Sequence, residues 1–109
     1  MRTKVAWFSR HEMNNWQLND LRVKYGNDLI LVQVRDRLEE IEDFFPIIEA
    51  CDVICVVGNW GVIADFAAVC LPEKELLIPI GRYDKVTGIQ KHERWDLVVR
   101  AEYITKPLL

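Results

Sequence analysis

Residues 52–57 (DVICVV) hold the most continuous apolar run in the chain, and this run limits the fold more than any other feature. A strand with one solvated face alternates apolar and polar residues, whereas a run without alternation belongs to a strand buried on both faces, as in a parallel sheet. Parallel neighbours need helical crossovers. The rest of the sequence supplies them. Val5-Ala6-Trp7-Phe8 and residues 29–34 are two further short apolar runs, the second rich in branched side chains. Between them Leu18, Leu21 and Tyr25 recur at i, i+3 and i+7, the spacing of one helical face, and Gly26 suits the position after a helix end. Leu38, Ile41, Phe45 and Ile48 mark a second helical stripe, in which Pro46 removes a backbone donor and should kink or restart the helix. Ile63, Phe66, Ala67 and Cys70 mark a third helix, closed by Pro72.

Residues 76–80 read as a fourth strand in which Pro79 favours an edge or a bulge, residues 81–94 as a polar loop, and residues 97–104 as a last alternating strand. The expected fold is therefore α/β: a single Rossmann-like domain over residues 1–109, its mostly parallel sheet flanked by helices, with the last strand free to run antiparallel. A chain of this length buries roughly two-thirds of its unfolded surface, enough to fold without disulfides or a structural metal.

Charge and composition narrow the functional classes. Non-specific affinity for DNA or RNA comes from many clustered Lys and Arg, and a net charge of −3 over 109 residues argues against a long nucleic-acid partner. No apolar run reaches the roughly 18 residues that a membrane span needs, and the run after Met1-Arg2-Thr3-Lys4 is too short for a secretion signal. A cytoplasmic protein without a membrane partner is expected. Cys51, Cys55 and Cys70 sit inside apolar segments without metal-ligand spacing and read as small buried hydrophobes. Glu39, Glu40, Glu42, Asp43 and Glu49 read as the solvated face of the second helix, so neither a metal site nor a cofactor is expected.

In open α/β sheets ligands bind outside the carboxyl ends of the strands. Three such ends carry unusual residues: Ser9-Arg10-His11, Gly58-Asn59-Trp60-Gly61 and Gly81-Arg82. At the first, a hydroxyl, a permanent cation and an imidazole precede a helix, where a phosphate can take backbone amides and a forked pair from Arg10 while His11 moves a proton. The plainer alternative is that Ser9 or Asn14 caps the helix and Arg10 pairs with Glu12 in solvent. At the second, the glycines allow close backbone approach, Asn59 can hold a polar group, and Trp60 either stacks on a base or packs against protein. Neither a GxGxxG nor a GxxxxGK[ST] motif is present. Ser9, Arg10, Asn59 and Arg82 are expected to ring one concave site on a two-fold axis.

The opening strand running into Ser9-Arg10-His11-Glu12, Gln17 in the following helix and the strand end Val56-Val57-Gly58-Asn59 resemble the small CRISPR-associated ring nucleases of the CARF-like type. The resemblance spans residues 3–80 in the order of elements. It implies a CARF-like homodimer that binds cyclic oligoadenylates across its two-fold axis, most simply cyclic tetra-adenylate, and cleaves them to switch off type III CRISPR signalling. It places ligand contacts at Ser9, Arg10, His11, Gly58, Asn59 and Arg82, to which the residues themselves add Trp60 as a stacking candidate, with His11 and Arg10 as catalytic candidates. Ring opening then needs no metal, since a ribose 2′-hydroxyl attacks the adjacent phosphorus and expels the 5′-oxygen. Two other classes stay open at this point: a module that binds or sequesters a cyclic nucleotide without chemistry, and a partner-binding domain using exposed tryptophans as anchors.

Overall fold

A computed structural model describes residues 2–36 and 40–100. The expected positions Leu38 and Glu39, and residues 101–109, lie outside the described residues. The elements are β1 (Lys4–Phe8), α1 (Asn15–Tyr25), β2 (Ile30–Val34), a 3-10 turn (Ile41–Phe44), α2 (Phe45–Ala50), β3 (Val53–Val56), α3 (Trp60–Cys70), β4 (Glu75–Asp84) and β5 (Ile89–Leu97). They build one five-stranded sheet in the order β2-β1-β3-β4-β5, parallel from β2 to β4 and antiparallel between β4 and β5. The α/β class, the mostly parallel sheet and the antiparallel last strand are as the sequence implied.

Helices cover both faces, which explains the unbroken apolar run. Every residue of β3 is buried, because it lies between β1 and β4 and under helices on either side. On one face Phe8, Ile54, Val56 and Leu76 pack against Phe44, Ile48, Ile63, Phe66 and Cys70. Phe8 meets Phe44 and Phe66 edge-on at centroid distances of 5.5 and 4.9 Å, and a buried ring of this kind contributes roughly 1.5–3 kcal/mol by burial alone. On the other face Val5, Trp7, Cys55 and Leu77 pack against Leu21 of α1 and the half-buried Trp95. All three cysteines are free and buried, and burial raises each thiol, Cys70 to about 11.

Three readings need correction. Residues 81–94 are not a loop: β4 runs on to Asp84 and turns back through Gly88, at φ +69°, into β5. The Asp84 carboxylate accepts from the Val86 amide at 2.9 Å and tightens that turn. Among the described residues the last strand accordingly ends at Leu97, where the sequence suggests that it begins, and residues 101–104 of the expected strand are outside the described residues. Phe44 rather than Phe45 enters the core. Pro46 does restart the helix, but the tighter 3-10 turn before it advances the phase by one residue.

Candidate functional site

The sheet reverses winding at β1, whose neighbours β2 and β3 lie on opposite sides of it. Such a switch point leaves a crevice outside the carboxyl ends of the two central strands. Here a cavity of about 310 Å³ opens at these ends, on the α1 face. Trp7, Ser9 and His11 enter from β1 and its loop, Glu12, Asn14 and Gln17 from the approach to α1, Val57 from the end of β3, and Pro79 and Gly81 from β4. Gln90, Lys91 and His92 complete it from β5. A larger groove of about 560 Å³ runs between α1 and the other end of the hairpin, past Tyr25, Glu75 and Leu97. It lies by the first residue of β4, away from the carboxyl ends.

The β1–α1 loop is held by its own neighbours. The Trp7 indole donates to the His11 carbonyl at 2.8 Å, and the Gln33 amide donates to the carbonyls of Ser9 and His11 at 3.1 and 3.0 Å. Ser9 Oγ accepts from the His11 amide at 3.2 Å. Ser9 therefore shapes the loop and does not cap the helix. Asn14 is the cap: its side chain accepts from the Gln17 amide at 2.8 Å, and Gln17 returns the bond to the Asn14 amide at 3.0 Å. Glu12 pairs at 3.2 Å with Arg35, the residue after β2, and not with Arg10.

The sequence-derived residues divide into two groups. Ser9 and His11 line the cavity, with the exposed Arg10 between them in the loop. Gly58, Asn59 and Trp60 are exposed on the adjoining β3–α3 turn, one to three residues beyond the lining Val57. The Asn59 side chain caps α3 by accepting from the Val62 amide at 3.0 Å, and Trp60 is 68% exposed. Arg82 is within β4 and not at a strand end; because strand residues alternate, it points to the face opposite the lining Gly81. Ser9, Arg10, Asn59 and Arg82 thus do not ring one cavity within a single chain.

His92 is the residue the sequence reading passed over. It falls within residues 81–94, which the sequence presents as a polar loop, yet its side chain is only 3% exposed. Its Nε2 lies 2.9 Å from Asp20 Oδ2 of α1, and its ring leans on Trp95 at a centroid distance of 5.7 Å. Trp95 in turn donates to the Gln17 carbonyl at 3.0 Å and meets Trp7 edge-on at 5.7 Å. A bulge makes this possible. Gly81 pairs with His92 but Ile80 pairs with Arg94, so β5 carries one extra residue, Glu93, and His92 and Trp95 fall on one face. The signal available in sequence was the turn of Asp84 and Gly88 between two extended segments.

No family model matches the chain, and searches of the curated proteins and of the solved structures returned no match. Among the described residues no group of three His, Cys, Asp or Glu is placed to hold a metal ion, and no helix is long and apolar enough to cross a membrane.

Proposed function

We propose that the chain is a cytoplasmic ring nuclease that binds a cyclic oligoadenylate, most simply cyclic tetra-adenylate, across a homodimer and opens it, ending type III CRISPR signalling. One observation carries the reading: a hydroxyl and an imidazole, from Ser9 and His11, line one cavity at the carboxyl ends of the central strands. Phosphate bound there meets the Arg10 guanidinium, exposed in the loop between them. The cavity volume of about 310 Å³ suits one nucleotide unit and not a ring of several. Two copies about a two-fold axis would supply two such cavities to a ring of the same symmetry. The exposed Trp60 and the glycine turn beside Val57 would then face the rest of the ring or the partner copy.

Within that reading the loop does the positioning. The bonds from Trp7 and Gln33 fix the backbone of Ser9 and His11 before the ligand arrives, which reduces the ordering that in-line attack of the 2′-hydroxyl on phosphorus requires. His11 is the group to give the departing 5′-oxygen a proton. A second reading, a module that binds the ring without cleaving it, is favoured by one fact: Arg82, the other expected phosphate cation, is on the opposite face of β4.

The test is incubation of the purified chain with a panel of cyclic oligoadenylates at enzyme excess, with chromatography of the products and sedimentation to find the oligomeric state. Linear products ending in a cyclic phosphate support the nuclease. Binding without products supports the sequestering module. Neither binding nor products removes both.

A further inference from the structure

The Asp20–His92 pair is built like the orienting half of a catalytic constellation. A carboxylate only accepts hydrogen bonds, so with Asp20 Oδ2 at 2.9 Å the proton on the His92 ring sits on Nε2. Nδ1 is then a bare acceptor. It is buried and has no hydrogen-bond partner among the described residues. An unpaired buried acceptor is costly relative to a satisfied one, so its retention calls for a donor that arrives from elsewhere. His92 is among the residues lining the cavity that holds Ser9 and His11, and among those lining a second hollow with Trp16, Asn19 and Asp20. Its orientation is fixed from three directions: by Asp20, by the Trp95 ring, and by the bulge that turns it onto the α1 face. Across the hairpin its register partner is Gly81, where the flexible Gln90 side chain occupies the space a Cβ would take.

We infer that His92 is the proton acceptor of this cavity, that Asp20 is the residue positioning it, and that the missing donor is the ribose 2′-hydroxyl of the ligand. The inference rests on the cyclic-oligoadenylate reading and adds to it the group that activates the nucleophile. In the step, the 2′-hydroxyl proton passes to His92 Nδ1, the O2′–P bond forms and the P–O5′ bond breaks. The 5′-oxygen leaves as a hydroxyl with a proton from a protonated His11. The product is a linear oligonucleotide with a 2′,3′-cyclic phosphate at one end, and water returns the two imidazoles to their starting protonation. Nothing is oxidised or reduced. The arrangement follows the logic by which a carboxylate selects the tautomer of a histidine base.

The experiment uses the full chain with cyclic tetra-adenylate and its 2′-deoxy counterpart as probes. His92→Gln should slow single-turnover cleavage by about 100-fold or more while affinity and melting temperature change little, since a base of this kind typically supplies 10²–10⁴-fold. Asp20→Asn should also slow cleavage, and long-range ¹H–¹⁵N spectra of its His92 ring should show the Nε2–H preference lost. In the unmodified chain the same spectra should place the proton on Nε2, and the ribose ring but not the deoxyribose ring should shift the Nδ1 resonance. Cleavage by His92→Gln within about threefold of the unmodified rate overturns the assignment. If that variant does not fold, an Nδ1 resonance that ignores the ribose ring overturns it equally. Failure of the underlying reading looks different: the unmodified chain then neither binds nor cleaves either probe, and the assignment falls with it.

Discussion

The Trp7 indole N–H points along the end of β1 and donates at 2.8 Å to the carbonyl of His11, four residues on. The same carbonyl accepts from Gln33 at 3.0 Å, so a strand interior and its parallel neighbour jointly set the loop that carries Ser9 and His11. A core residue and a ligand loop are thereby one mechanical unit. Gln33→Met keeps the length of the side chain and removes both of its bonds to the loop. At about 0.5–1.5 kcal/mol per hydrogen bond, it should destabilise the fold by about 1–3 kcal/mol in urea unfolding. Titration with cyclic oligoadenylate should show weaker binding than that loss alone implies, because the loop must then be ordered on binding. A variant with the lowered unfolding midpoint but unchanged affinity would separate the loop from the ligand.

Much of the fold was legible because its cause is local. The unbroken run at residues 52–57 announces a strand buried on both faces, Gly26 announces a helix end, and Pro46 announces a restart. What could not be read depends on register. Phe44 takes the core position expected of Phe45 because a 3-10 turn shifts the phase by one residue. His92 becomes a buried, oriented group only through a one-residue bulge and a carboxylate 72 residues away. Ser9 and His11 line a cavity at the strand end where the sequence puts them, whereas Arg82 is inside β4 because that strand ends at Asp84, four residues beyond Ile80.

Cysteine chemistry gives a check on the core. A thiol reacts as the thiolate, and burial raises all three thiols, Cys70 to about 11, with Cys55 raised by desolvation alone. In the native protein at pH 8, a thiol-disulfide reagent should therefore modify Cys51, Cys55 and Cys70 far more slowly than in urea, where all three react at the rate of an ordinary peptide cysteine. Mass spectrometry of quenched samples resolves the three sites. A cysteine modified at the unfolded rate under native conditions would contradict its place in the core.

Tyr25 ties α1 to the sheet by donating its hydroxyl to Glu75, the first residue of β4. Desolvation raises its pKa above the tyrosine value of 10.0, and the bond to the Glu75 carboxylate raises it further. The folded state thus holds the neutral phenol after the unfolded chain has ionised. The resulting stability is complete below about pH 10 and falls as the pH climbs above it towards the folded value. Tyr25→Phe should cost about 0.5–1.5 kcal/mol at pH 7 through the lost hydrogen bond. Its urea midpoint should then fall less steeply than that of the unmodified chain between pH 9 and pH 11. Parallel curves for the two proteins across this range would mean that Tyr25 ionises as freely folded as unfolded.

Gly81 allows stability and ligand binding to be separated at one atom. A Cβ there would stand 2.3 Å from Gln90 Nε2, the far end of a flexible side chain, and its backbone dihedral lies outside the left-handed region. The clash is relieved when Gln90 moves, and replacing glycine lowers the entropy of the unfolded chain by an amount worth about 0.4–1 kcal/mol. Gly81→Ala should therefore leave the unfolding free energy within about 1 kcal/mol of the parent. The new methyl and the displaced Gln90 both enter the cavity, opposite His92. A ligand seated between Ser9, His11 and His92 then loses room and its contact with the imidazole. A drop of about 1.4–3 kcal/mol, or roughly 10- to 150-fold in affinity, should follow in a titration with cyclic tetra-adenylate. Undiminished affinity in the folded variant would place the ligand on a different part of the sheet.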